Sequence, residues 1–256
     1  MSQPLILKKE KFSYRLDFLE DLGARAIFTT KPLDLSLGHS RRAASFKKLA
    51  IDPACLVCPS QVHGARIALV TQRHAGAGAL EACGAITATD ALVTSVEGLS
   101  ICVLTADCLP VFVLDTHQKA AAVIHAGWKG LQQGILSRTL RVMADEFSSR
   151  PRDLLAAFGP SIRPCCYRVG REFFSYFPGF IRDRGAQGIF MDLPGRARSE
   201  LEALGIGENR IFDSGLCTCC RPDFHSFRRE GRRAGRVMSL VSLLPSSKKC
   251  QRLKAH

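Results

Sequence analysis

The stretch LSICVLTADCLPVFVLD (Leu99–Asp115), followed by AAAVIHAGWKG (Ala120–Gly130), decides the fold. Short apolar runs that are rich in β-branched residues and bounded by glycine or proline are typical of buried strands. We predict strands over residues 99–105, 111–115 and 120–125. Because they follow one another closely along the chain, we expect them to be neighbours in one sheet.

After the third strand the apolar spacing becomes helical. One amphipathic helix is predicted from the positions Leu131, Ile135, Leu140, Met143 and Phe147, and it should end before Pro151. Later segments predict a strand over 154–158, helices over 169–177 and 193–204, and a short strand over 210–212. Because strands and helices mix without strict alternation, we predict an α+β fold of layered mixed β-sheets flanked by helices.

The composition predicts one large domain. The chain has 256 residues, 46% of them hydrophobic, which is enough for a sizeable core. No repeat or linker divides it, so we expect a single domain over residues 1–244 and a disordered basic tail over 245–256. We find no leader-like segment and no run of about 18 apolar residues, so a cytoplasmic location without membrane contact is expected.

The charge and the cysteine count restrict the partners and the redox state. The formal net charge is +13, and basic residues concentrate over 221–236 and 248–254, which suits anionic small substrates as well as nucleic acid. The cysteines number 11, an odd count in a chain too large to depend on disulfides. We therefore expect reduced thiols and metal ligands.

Three segments combine a metal-capable side chain with a loop or a strand end, and they supply His63, Cys108 and His125. Two imidazoles and one thiolate give zinc three protein ligands and leave a fourth position open, as in catalytic sites, although the same ligands accept copper. Asp107 is adjacent and can orient a nucleophile or transfer a proton. The residues alone also permit two hydrogen-bonded histidines and a buried thiol, which is the commoner fate of such residues.

A second group of thiols permits a structural zinc site. Cys217, Cys219 and Cys220 can combine with the Cys55-x-x-Cys58 pair to give four thiolates. Cys165 and Cys166 are neighbours in the chain, so we expect them to pack rather than to face one site.

Taken in order, several segments resemble one known family. They are QVHG at 61–64, TDALVT at 89–94, TADCLPV at 105–111, HAGWKG at 125–130, GPSI at 159–162 and FHSFRR at 224–229. This pattern is similar to the laccase-domain family, once named multicopper polyphenol oxidases and now associated with purine nucleoside phosphorylase and adenosine deaminase activity. Where the family often has a glutamate after the tyrosine that follows the GP segment, this chain has Arg168.

The resemblance implies a fold, a metal and a reaction. It implies the layered cysteine hydrolase-like fold, and zinc on His63, Cys108 and His125. The implied substrates are purine nucleosides and phosphate, which give free base and ribose 1-phosphate, with deamination of adenosine as a second activity. We expect Asp107 and Cys108 to be catalytic and Gln61, Lys129 and Arg228 to bind substrate.

Three other functions are alternatives to this one. Four-copper oxidase chemistry needs paired histidines, whereas the seven histidines here stand apart, so we reject it. A cysteine hydrolase that edits peptidoglycan precursors needs a Cys108–His125 pair with Asp107 as its orienting residue. A basic nucleic-acid-binding protein fits the charge, but no recognised binding motif is present.

Overall fold

The computed structural model describes residues 7–245, so the predicted tail lies outside the described residues from residue 246 onward. The strands are β1 (Leu7–Lys9), β2 (Ser13–Leu16), β3 (Ala24–Thr29), β4 (Leu56–Val57), β5 (Ile67–Leu69), β6 (Ala91–Thr94), β7 (Ser100–Thr105), β8 (Leu109–Asp115), β9 (Ala120–Ala126), β10 (Leu154–Phe158), β11 (Arg168–Val169), β12 (Ile181–Asp183), β13 (Ile189–Met191), β14 (Ile211–Asp213) and β15 (Val237–Leu243). The α-helices are α1 (Arg42–Leu49), α2 (Trp128–Gln132), α3 (Ile135–Phe147), α4 (Phe173–Tyr176), α5 (Leu193–Ala203) and α6 (Phe227–Glu230).

Two large mixed sheets dominate the architecture. The first has six strands in the order β1-β2-β3-β15-β7-β4, and the second has six in the order β14-β10-β8-β9-β6-β5. A third sheet of three short strands has the order β11-β13-β12. The predicted α+β class with layered mixed sheets is confirmed.

The two large sheets pack face to face, and helices cover their outer faces. Apolar side chains from both sheets fill one shared core, in which the rings of Phe28 and Phe112 stack with centroids 5.1 Å apart. The opposite face of the second sheet packs against α3 and α5, and that of the first sheet packs against α1. Because both faces of each sheet are covered, their central strands read as continuous apolar runs.

One predicted strand pairing was wrong, and the error concerns the site. The strands predicted over 99–105 and 111–115 do not share a sheet, because β7 pairs with β15 and β4, whereas β8 pairs with β9 and β10. The turn Ala106-Asp107-Cys108 crosses from one sheet to the other instead of closing a hairpin. Cys108 therefore lies where the two sheets meet.

Two predicted helices also differ from the structure. The helix expected from Leu131 to Phe147 is divided into α2 and α3 by Gly134, which has a left-handed backbone with φ 73°. Over 169–177 only Phe173–Tyr176 is helical, since Arg168–Val169 pairs with β13 as a strand. Among residues 7–245, no helix is long and apolar enough to span a bilayer.

Candidate metal centre

The structure brings together the three residues predicted to bind a metal. The ligand atoms of His63, Cys108 and His125 all lie within 4.8 Å of one another, and the two imidazole centroids are 4.8 Å apart. Cys108 directly precedes β8, and His125 on β9 pairs with Pro110 of β8. Two of the three side chains are thus fixed by one antiparallel strand pair, and His63 comes from the loop before β5.

A buried carboxylate, Asp90, ties that loop to β9. Its oxygens accept hydrogen bonds from the backbone N–H groups of Val62, His63 and Gly64 at 3.2, 2.9 and 2.8 Å. Asp90 Oδ1 also accepts from His125 Nδ1 at 2.8 Å, and Asp90 is fully buried. Because Nδ1 carries the proton, Nε2 of His125 remains free to bind a metal ion.

Two backbone features allow the three ligands to approach each other closely. A Cβ atom at Gly127 would lie 3.1 Å from Cys108 Sγ and 3.5 Å from His63 Cδ2, so a larger residue would crowd the thiol and contact the imidazole. His63 itself has φ 60°, a left-handed conformation that a non-glycine residue adopts at some cost. The hydrogen bonds from Asp90 hold the loop in that conformation.

The electrostatics favour a thiolate in this site. Burial by itself would raise the pKa of Cys108, but the facing imidazoles of His125 and His63 lower it to about 6. Burial would likewise lower the pKa of His125, yet Cys108 and Asp90 together raise it to about 9. Burial also acts to raise the pKa of Asp90, but its bonds to His125 and to the loop keep that pKa low.

This donor set fits a metal ion such as zinc. A thiolate and imidazole nitrogens are the ligands that zinc prefers, and the pKa of Cys108 is already low enough to supply the thiolate at neutral pH. The Asp90–His125 pair matches the carboxylate–histidine arrangement that fixes imidazole ligands in metalloproteins. That these residues bind the ion stays a prediction.

Asp107 does not orient His125, contrary to the role assigned to it in the hydrolase alternative. Its carboxylate accepts from Thr218 Oγ1 at 2.6 Å and from the backbone N–H of Arg228 at 2.6 Å. Asp90 takes the expected place beside the imidazole. Asp107 has φ 93°, and these bonds hold its backbone in that strained conformation beside Cys108.

The candidate metal centre opens into a cleft of about 730 Å³. Of the residues predicted to bind substrate, Gln61 and Arg228 line this cleft, but the Gln61 amide is engaged with the backbone N–H and C=O of Leu104 at 2.7 and 2.9 Å. Lys129 lies outside the cleft lining, with its Nζ 5.5 Å from the centroid of the Trp128 ring. Substrate contacts by all three residues stay predictions.

Sequence reasoning missed three residues of this region. Asp90 belongs to the TDALVT segment, and a carboxylate directly before an apolar run was a usable signal in the sequence. The structure shows that this carboxylate is buried. Arg232 and Arg236 also line the cleft, and they belong to the basic segment over 221–236, whose spacing alone does not show which side chains converge.

The predicted composition of the second thiol group was wrong. Cys55 and Cys58 lie elsewhere, since Cys58 is buried against Arg42 and Cys102. The sulfur atoms that do come together within 4.8 Å of one another are those of Cys165, Cys166, Cys217 and Cys220. Neighbouring cysteines can face the same point here because Arg163–Tyr167 forms a tight turn, in which Cys166 and Tyr167 both donate to the carbonyl of Arg163.

We expect Asp90→Asn to weaken zinc binding about 10- to 100-fold, the usual effect of changing a residue that supports a ligand. The amide keeps the size of the side chain but loses the charge that fixes the proton of His125. Competition with a chromophoric chelator measures the affinity. Asp115→Asn is the matched control, because Asp115 is equally buried and accepts backbone bonds at the end of β8. Equal affinities of Asp90→Asn and the unaltered protein would contradict the assigned role.

Comparisons with known proteins identify relatives of this chain. Residues 38–244 match the family described as multi-copper polyphenol oxidoreductase laccase. A purine nucleoside phosphorylase of Bacteroides thetaiotaomicron is 34% identical over 200 residues, which cover 75% of this chain and 74% of that protein. An adenosine deaminase from an unknown prokaryotic organism is 32% identical over 201 residues, covering 75% of this chain and 76% of that protein.

A solved structure shares the whole architecture. The crystal structure of YlmD from Geobacillus stearothermophilus superposes with a TM-score of 0.87 at 28% sequence identity, covering 94% of this chain and 100% of that one. The sequence match, the relatives and the shared fold support one assignment. The chain belongs to the multi-copper polyphenol oxidoreductase laccase family.

Proposed function

We propose that this chain is a zinc-dependent purine nucleoside phosphorylase that also deaminates adenosine. The observation that carries the proposal is the group of His63, Cys108 and His125 at the wall of a cleft that also holds arginines and aromatic rings. Relatives named purine nucleoside phosphorylase and adenosine deaminase support the same chemistry.

The three side chains His63, Cys108 and His125 would hold the zinc ion. When bound, the ion supplies Lewis acidity to the adjoining part of the cleft. Asp90 orients His125 and fixes the loop that carries His63, so the ligand geometry is set before the ion arrives.

Aromatic side chains of the cleft suit a purine base. Trp128, Tyr167 and Phe227 line it, and 53% of the Phe227 surface is exposed although the side chain is apolar. The guanidinium of Arg228 lies 5.6 Å from the centroid of the Tyr167 ring. Flat apolar faces and a guanidinium plane recognise a heterocycle by stacking.

Phosphorolysis needs a site for phosphate beside the sugar. The bond between C1′ and the purine nitrogen breaks, a bond from C1′ to a phosphate oxygen forms, and the released base takes up a proton. Three arginines line the cleft. The guanidinium of Arg232 has no hydrogen-bond or ion-pair partner among residues 7–245, whereas those of Arg228 and Arg236 donate to backbone carbonyls. We assign the phosphate to Arg232, because an unpaired guanidinium in a cleft can bind an anion with two parallel hydrogen bonds.

Deamination uses water in place of phosphate. The oxygen of water becomes bonded to the purine carbon that carries the amino group, and that group leaves as ammonia. This reaction shares the base-binding part of the cleft but has no need of the phosphate-binding arginine. The two activities are therefore separable by substitution.

A cysteine hydrolase is the second candidate, and one observation favours it. Asp90, His125 and Cys108 form a connected series in which the carboxylate orients the imidazole and the imidazole faces the thiol. Without a metal ion this arrangement resembles an activated cysteine nucleophile. Bound zinc would occupy the same thiolate, so the two functions exclude each other on one molecule.

The central experiment incubates metal-quantified protein with adenosine, with and without phosphate, and separates the products by chromatography. We expect adenine only when phosphate is present, and inosine in both conditions. His63→Ala should lower kcat/KM for both products by more than about 100-fold, since losing a ligand costs more than losing its supporting residue.

His117→Ala is the matched control for that substitution. Both histidines are exposed, but His117 follows β8 and lies outside the cleft lining. It should retain full activity. If zinc-loaded protein forms no product from adenosine or inosine, the proposed function is wrong.

Arg232→Gln should raise KM for phosphate about tenfold or more while leaving phosphate-independent inosine formation unchanged. The loss of one charge-assisted hydrogen bond costs about 1.5 kcal/mol or more, and about 1.4 kcal/mol corresponds to a factor of ten. Arg233→Gln is the control, because Arg233 is adjacent to Arg232 in the chain but lies outside the cleft lining. An unchanged phosphate KM in Arg232→Gln would refute this assignment.

Alkylation of Cys108 separates the zinc enzyme from the hydrolase. The lowered pKa, about 6, keeps the metal-free side chain a thiolate above that pH, so labelling by iodoacetamide should be fast at pH 7 and slow down as the pH falls through about 6. Bound zinc should abolish the labelling, as followed by peptide mass spectrometry. Equal labelling with and without zinc would favour the hydrolase.

A further inference from the structure

A second group of metal-capable side chains lies beside the cleft but plays no part in the proposed reaction. The parallel strands β10 and β14 pair through Ala156–Phe158, so the loops that follow them leave the sheet together. Ser161 in the first loop and Cys217 in the second form a β-bridge. These loops carry the four thiols of Cys165, Cys166, Cys217 and Cys220.

The distances between the sulfur atoms suit a shared ion. Cys220 Sγ lies 3.6 Å from Cys165 Sγ and 3.3 Å from Cys166 Sγ, and all four sulfurs lie within 4.8 Å of one another. A disulfide requires about 2.05 Å. Thiolates bound tetrahedrally to zinc at about 2.3 Å are separated by about 3.8 Å. The observed spacing is therefore close to that of a four-thiolate site.

Without a cation, the surroundings of this group disfavour the presence of several thiolates together. Burial and the neighbouring thiols raise the pKa of Cys165 to about 11, and the same causes raise the pKa of Cys166 still further. Burial would raise the pKa of Cys217 too, but backbone N–H groups of Cys220 and Arg163 lower it. A divalent cation removes the repulsion among thiolates, and N–H donors directed at a sulfur stabilise it as a ligand.

We propose that Cys165, Cys166, Cys217 and Cys220 bind a structural zinc ion through four thiolates. This site is separate from the group of His63, Cys108 and His125, and all four of its positions are filled by protein, so it is closed to substrate. The adjacent pair at 165–166 and the pair at 217 and 220 each contribute two ligands. Cys219, which lies between the latter pair, is outside the group.

The zinc ion would stabilise one wall of the cleft. Thr218, within the second ligand loop, donates from Oγ1 to Asp107 at 2.6 Å. The carbonyl of Cys166 accepts from Arg228 Nη1 at 3.3 Å, and Tyr167 follows directly in the cleft lining. Crosslinking the two loops thus fixes the partners of Asp107 and Arg228. This makes the four cysteines positioning residues rather than catalytic ones.

The test counts zinc in the full chain, purified under reducing conditions, by elemental mass spectrometry. We expect two zinc ions per chain in the unaltered protein, one in Cys220→Ser, one in His63→Ala and none in the double variant. Cys83→Ser, a control at an exposed cysteine outside the group, should keep both. The count does not depend on activity, so its outcome is distinguishable from failure of the proposed function.

A second measurement uses the unaltered protein and so does not depend on how Cys220→Ser folds. Titration with cobalt(II) should give thiolate-to-metal charge-transfer absorption in two phases, the stronger of which belongs to the four-thiolate site. The proposal is overturned if the zinc content of Cys220→Ser equals that of the unaltered protein. It is equally overturned if mass spectrometry shows that these cysteines form disulfides, which lower the mass of the chain until a reductant is added.

Discussion

The hydrogen bonds of Asp90 are the interaction on which the site depends. One buried carboxylate accepts from three successive backbone N–H groups and from His125, so it joins a peripheral loop to the central strand β9. Four bonds to an ionised group offset the cost of burying its charge. The same bonds hold His63 in a left-handed conformation, which a non-glycine residue adopts at some cost.

Much of the fold could be predicted from the sequence because its central strands are continuous apolar runs. The strands around residues 99–105, 111–115 and 120–125 were all found near their expected positions. The distribution of these strands between two sheets could not be predicted, since strands buried on both faces show no alternation that marks which neighbour they pair with. A three-residue connection such as Ala106–Cys108 suggests a hairpin, yet here it crosses between layers.

The site was predictable in its ligands and less so in its supporting residues. His63, Cys108 and His125 each stand in a distinctive segment, and the resemblance to a known family linked them. Adjacency to Cys108 in the sequence predicts Asp107 as the orienting residue, whereas Asp90 is 35 positions away from His125 and reaches it through the β6–β9 pairing. Likewise, the grouping of Cys165 and Cys166 with Cys217 depends on parallel pairing of β10 and β14, which connects residues far apart in the chain.

In the candidate metal centre, two ligands are fixed by strand pairing and the third by hydrogen bonds of its loop. Cys108 and His125 are held by the register of β8 and β9, while His63 is exposed and attached through backbone hydrogen bonds to Asp90. Because Asp90 orders the loop in advance, capture of an ion costs the loop little conformational entropy. In thermodynamic terms, part of the affinity for the ion resides in a carboxylate that does not contact it.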